Sequence, residues 1–167
     1  MAITKIQSES LNLADTYAFT GTVTGAGGVN TPAFKAYLNG TQAISANTGT
    51  KITFDAEVFD TNNCFDSSTN YRFTPTVAGK YIIGLHTGGA SHTGECGIFF
   101  KKNGSTNIYT WDATKTGTFR EGGWRIITFN GSSDYIEGYA FFNSNRTISG
   151  ASTDNYSTFF EGYKIIE

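Results

Sequence analysis

From Tyr17 onward the chain alternates apolar and polar residues in short runs, and clusters of Gly, Asn and Ser separate the runs. A period of two places alternate side chains on opposite faces of an extended strand. The pattern predicts strands over Phe34–Leu38, Lys51–Phe59, Tyr71–Thr76, Lys80–His86, Gly97–Lys102, Trp124–Phe129, Tyr135–Phe142 and Thr158–Ile166, with a further strand near Ile108–Trp111. Helical spacing is confined to Ile3–Ala14, a short stretch interrupted by Ser and Asn. About eight to ten short strands joined by turn residues predict an all-β sandwich or jelly roll of two packed sheets.

The runs are apolar on more than one face. Tyr81, Ile83 and Leu85 share one side of a strand, while Ile82, Gly84 and His86 share the other. Tyr135, Glu137, Tyr139 and Phe141 likewise oppose Ile136, Gly138, Ala140 and Phe142. A two-sheet sandwich leaves one face of each strand in water, where polar residues are expected. Strands apolar on both sides therefore predict an oligomer.

Turn chemistry supports the strand boundaries. Asn39-Gly40, Asn103-Gly104 and Asn130-Gly131 supply residues that tolerate positive φ, which tight turns require. Each begins an Asn-Gly-Ser/Thr sequon, and Asn145 and Asn155 begin two more. Turn formation accounts for them without glycosylation. Residues 21–28, with Gly25-Ala-Gly-Gly28, read as a linker. It divides an N-terminal segment, residues 1–30, from a domain spanning residues 31–167.

Composition narrows the function. Among 167 residues only 16% are charged and 15% are aromatic, the reverse of a disordered chain. Twelve Lys and Arg against 14 Asp and Glu provide no basic footprint for nucleic acid or an anionic membrane. No run approaches the roughly 20 apolar residues of a spanning helix, and the first residues lack the apolar core of a secretory signal. Cys64 and Cys96 can pair or stay free; as free thiols they behave as small hydrophobes.

Candidate chemistry is sparse, and no enzyme is expected. His86 falls within a strand, as a packed or hydrogen-bonded residue. His92 falls in the apparent loop Gly88–Gly94, near Cys96 but with no third residue to orient a nucleophile–base pair. No phosphate loop or zinc spacing occurs, so no catalytic or cofactor residue is assigned. Asp60, Asp66, Asp112 and Asp154 fall in loops, where turn formation is their expected role. Tyr109, Trp111, Phe119 and Tyr156 form a possible ligand surface, because exposed aromatic rings stack on sugars. Trp124, embedded in a strand, is expected in the core.

Several motifs occur together in a fixed order: Pro32-Ala-Phe-Lys-Ala36, Lys51-Ile-Thr-Phe54, Phe65-Asp-Ser-Ser-Thr69 with Phe73 and Gly79-Lys-Tyr81, Lys102-Asn-Gly104, and Phe160-Glu-Gly-Tyr163. In that order they resemble the globular domain of complement C1q and the related tumour-necrosis-factor jelly roll. Asn70 replaces a Gly of the pattern, and Gly131-Ser-Ser-Asp134 stretches its Gly-Asp turn. The resemblance implies a homotrimer, with Phe34, Phe54, Phe73, Tyr81, Ile83, Phe142, Phe160 and Tyr163 in the core or at trimer contacts. Relatives can hold calcium among loop oxygens; here no cofactor is expected and a metal stays unassigned. Residues 1–30 resemble N-terminal segments of phage fibre and other virion proteins. Together these imply a virion-surface protein, made in the host cytoplasm: a trimeric fibre or spike knob or capsid decoration. It would join other virion proteins through its N-terminal segment and offer its surface to host carbohydrate. A secreted, complement-like recognition protein is the alternative.

Overall fold

The structure, a computed structural model, describes residues 30–152 and 155–166. At residues 90, 111, 112, 151, 152, 155 and 156 it describes the backbone alone. The N-terminal segment up to residue 29, with its helix candidate and linker, lies outside the described residues.

Thirteen strands and no helix occur among the described residues. They are β1 (Ala33–Tyr37), β2 (Thr41–Ile44), β3 (Thr50–Lys51), β4 (Ala56–Asp60), β5 (Phe65–Asp66), β6 (Arg72–Phe73), β7 (Gly79–Lys102), β8 (Thr106–Phe129), β9 (Ile136–Phe142), β10 (Arg146–Ser149), β11 (Ala151–Ser152), β12 (Asn155–Tyr156) and β13 (Phe159–Lys164). All their pairings are antiparallel.

The dominant element is the hairpin of β7 and β8, paired from Gly79 opposite Phe129 to Lys102 opposite Thr106. Each strand has 24 residues, and laid straight each would reach roughly 80 Å, far more than a small domain's width. The hairpin folds over instead. Its register slips between Gly88 and Ser91, and Gly94 and Gly117 take φ of 125° and 118°, a region that a Cβ disfavours. On one side of the bend, Tyr81–His86 pair with β13; on the other, Cys96–Lys102 pair with β9. One layer therefore runs β4-β1-β13, then the first half of β7 and the second half of β8. The second runs from the first half of β8 through the second half of β7 to β9, which also takes β3 and β6, with β5 on β6. The β2–β10 pair joins at Gly88 and Gly89.

Aromatic rings fill the space between the layers. Phe34 stacks on Phe73 at 4.3 Å and on Phe65 at 5.0 Å, and meets Phe160 edge-on at 4.9 Å. Phe100 reaches Phe160 from the opposite layer, 5.7 Å between ring centres. Phe54, Ile83 and Phe142 are also buried. A Phe-sized side chain contributes about 1.5–3 kcal/mol on burial. Tyr81 keeps its hydroxyl satisfied by donating to the Val77 carbonyl at 2.7 Å, and burial pushes its pKa up to about 12.

Several expected strands differ from those observed. Lys80–His86 and Gly97–Lys102 are one strand, because the Gly-rich stretch between them is a bulged bend rather than a loop. Lys51–Phe59 divides into β3 and β4: Ile52 and Phe54 are buried, but Asp55 turns to accept the Asn39 N–H at 2.7 Å. Tyr71–Thr76 shrinks to β6, since Tyr71 takes φ of 49° and cannot continue a ladder. The Asn-Gly turn does form as expected between β7 and β8, with φ of 53° at Asn103 and 72° at Gly104.

Candidate functional site

The sandwich has two outward faces, and they differ. On the first layer, register places Tyr163 beside Ile82 and Ile82 beside Ile126; Trp124 stands opposite Gly84. Ile126 is 66% exposed, Trp124 42% and Tyr163 40%. Phe59 is exposed too, and it shares one shallow hollow with Trp124 and Tyr163. The Trp124 ring lies over Gly84, where a Cβ would collide with it. At the edge of this strip, His86 stacks on Phe159 at 4.3 Å and meets Trp124 edge-on at 5.8 Å. Its ring occupies the space left by the absent side chain of Gly122. The His86 Nε2 is buried and has no hydrogen-bond partner. Desolvation holds this imidazole below its ordinary pKa, against the opposing pull of Glu161. Lys35 bridges Glu161 at 3.1 Å and lies 4.5 Å above the Phe159 ring.

The second layer's outward face carries a cavity. Phe99 lies between Tyr109 at 5.3 Å and Tyr139 at 5.4 Å, forming an aromatic row across β8, β7 and β9. Gly97, without a side chain, lines the same hollow, and Gly49 approaches the Phe99 ring so closely that a Cβ there would strike it. The result is a cavity of about 330 Å³ lined by Glu95, Gly97, Phe99, Asn107, Tyr109 and other residues. Lys101 sits 4.7 Å above the Tyr139 ring. Burial, with nearby Glu137, raises the Tyr139 phenol to about 12. Glu137 is itself buried and paired with Lys51 at 3.1 Å.

His92 belongs to β7, not to a loop, and is 1% exposed. Its Nδ1 accepts from Arg146 Nε at 3.0 Å, and its Nε2 donates to the Glu95 carbonyl at 3.1 Å. Both nitrogens are committed, so His92 does not serve Cys96 as a base. Cys64 and Cys96 are both free and buried. Asp66 explains the Asp-Ser-Ser-Thr motif: its carboxylate accepts the backbone N–H groups of Ser68, Thr69 and Asn70 at 2.9–3.1 Å. Asn70 adds a side-chain bond at 2.7 Å. These donors, the Thr69 N–H foremost, hold the carboxyl well below the usual range. Among the described residues no three His, Cys, Asp or Glu side chains gather as a metal site.

The arrangement matches solved structures. It superposes on murine APRIL with a TM-score of 0.56 at 11% identity, over 80% of this chain and 99% of that one. A second murine APRIL structure gives 0.54 at 12% identity, covering 80% and 98%. The Eiger tumour-necrosis-factor protein of S. frugiperda gives 0.52 at 8% identity, covering 80% and 91%. The fold is the tumour-necrosis-factor jelly roll. No family model and no curated protein matches the chain in sequence.

Within this jelly roll the expected ligand aromatics scatter. Tyr109 is exposed at the cavity. Phe119 is not a surface residue: it is 1% exposed and packs edge-on against Phe142 at 4.8 Å, because the folded hairpin turns that stretch of β8 inward. The Trp111 and Tyr156 side chains lie outside the described residues. Trp124 was expected in the core but faces outward, since alternation buries Ile127 and Phe129 instead. Tyr163 is outward for the same reason; its neighbours Phe160 and Gly162 point inward. Sequence reasoning missed Phe99, Tyr139 and Ile126. The pairing that joins Phe99 to Tyr109 and Tyr139 crosses three strands and has no local signature.

Proposed function

We propose that this chain is a non-enzymatic structural protein of a virion: a homotrimeric jelly-roll knob of a fibre, spike or capsid decoration. The N-terminal segment holds it to the other virion proteins, and the second layer's outward face is offered to host-surface carbohydrate. The observation that carries the trimer is the strip of Phe59, Ile82, Trp124, Ile126 and Tyr163. Contiguous apolar surface of this kind marks an interface rather than a solvated sheet. Packing first layers around a threefold axis covers the strip in every copy at once, and a cyclic arrangement closes without leaving an end. The N-terminal resemblance to fibre proteins supports the virion role.

Two experiments test this reading. Sedimentation equilibrium at micromolar concentration should give three times the 18.1 kDa chain mass; a monomer overturns the trimer. Deleting residues 1–28 should leave a soluble trimer that no longer joins particles, and full incorporation of the truncated chain would overturn the anchor.

A further inference from the structure

We infer that the cavity on the second layer binds a short neutral oligosaccharide, two or three linked pyranoses lying along β7. A pyranose has an apolar face of C–H groups and an edge of hydroxyls, and this cavity offers a partner for each. Tyr109, 53% exposed, presents a ring on which an apolar sugar face can stack. Phe99 holds that ring in place, itself backed by Tyr139. Stacking rings fixed before binding lose little freedom when the ligand arrives. The missing side chain at Gly97 opens the floor.

The polar groups lie toward the two ends. Glu95 is two residues before Gly97 on the same face of β7, and Asn107 pairs with Lys101 farther along. That separation exceeds one sugar ring and suits a chain of rings. A carboxylate accepts from hydroxyls, and a primary amide both donates and accepts. The cavity of about 330 Å³ is at the small end of ligand sites, which run from roughly 300 Å³ upward. Charge argues for a neutral sugar. Lys101 is already engaged above the Tyr139 ring, and the Glu95 carboxylate at the other end repels an acidic sugar.

The inference rests on the second layer facing solvent in the assembled knob. Its test uses the full chain and saturation-transfer NMR with lactose, maltotriose, N,N′-diacetylchitobiose and sialyllactose. At least one neutral probe should bind, with Tyr109→Ala weakening it about tenfold or more and Glu95→Gln weakening it less. Both substitutions are at exposed positions, and an unchanged melting midpoint and sedimentation mass show that the fold and assembly survive. Failure of all three neutral probes overturns the inference. So does binding that Tyr109→Ala leaves intact, or binding of sialyllactose where lactose fails. The outcomes separate from those above: a trimer that binds no probe removes the sugar site alone, while a monomer that binds removes the trimer alone.

Discussion

The two outward faces draw on the same residue types and put them to different uses. On the first layer the apolar side chains reach solvent: Ile126 is the most exposed of them, and Trp124 lies over Gly84 with its ring edge-on to His86. On the second layer the rings support each other, with Phe99 buried between Tyr109 and Tyr139 and charged residues around them. An exposed apolar strip gains most by meeting a matching apolar surface, which another protein provides. An aromatic row beside a cavity with polar ends is already packed and has room for something small. How far the apolar side chains reach into solvent, and whether polar groups line a cavity beside them, distinguish an assembly surface from a binding one more than apolar content does.

The largest expected effect removes both faces together. Phe73 belongs to neither, but it stacks on Phe34 and meets Tyr81 and Phe129 edge-on at 5.7 and 6.1 Å, tying the layers together. Phe73→Ala should cost about 3–5 kcal/mol in chemical denaturation. An unchanged midpoint would show that the layers do not depend on that contact.

The next substitution should divide the faces. Ile126→Glu puts a charge at the most exposed residue of the apolar strip. It should shift the chain to monomer by sedimentation while leaving the second layer's cavity intact, because burying an unpaired carboxylate between copies is costly. Gly84→Ala sharpens the same comparison without adding charge. The new Cβ displaces the Trp124 ring, so trimer affinity should fall by less than for Ile126→Glu. If both variants remain trimeric, the strip is not the interface.

The sequence made much of this visible and left some of it hidden, for physical reasons. Alternation located most of the strands, because burial of one face imposes a period of two on Tyr81, Ile83 and Leu85 wherever they lie. Asn103-Gly104 was readable because positive φ is a local demand on residue type. The folded hairpin was not readable: Gly88, Gly89 and Gly94 look like a loop, and only pairing with β8 makes them a bend within one strand. For that reason Phe119 read as a loop aromatic and emerged buried. The strip was legible in kind, through the apolar second face of Tyr81–Leu85, but its members on β4 and β8 become neighbours only through long-range pairing. Trp124 shows the limit well, since its outward position depends on the alternation around Ile127 and on the glycine across from it.

The smallest expected effect is in pH. His86 is the first face's histidine; the other, His92, is committed inside the core. The imidazole faces Glu161 on β13 and Lys35 on β1, and it lines a cavity with Arg120 and Glu121 of β8. Desolvation lowers its pKa in the folded chain below the ordinary 6.5, with Lys35 adding to the shift and Glu161 resisting it. Between the folded value and 6.5 the unfolded chain therefore binds the proton and the folded chain does not. The contribution to stability is complete above 6.5 and is lost as pH falls toward the folded value. Burying the same ring between copies removes more water from it, so assembly should share the sign. Melting midpoint and trimer fraction should both decline slightly from about pH 7 to about pH 5. His86→Phe keeps an aromatic ring against Phe159 but cannot titrate, and should flatten both profiles. Neither of the chain's two histidines lines the second face's cavity, so titration of His86 should leave sugar binding there unchanged in any variant that stays folded. An equal decline in His86→Phe would assign the pH response elsewhere and remove His86 as a difference between the two faces.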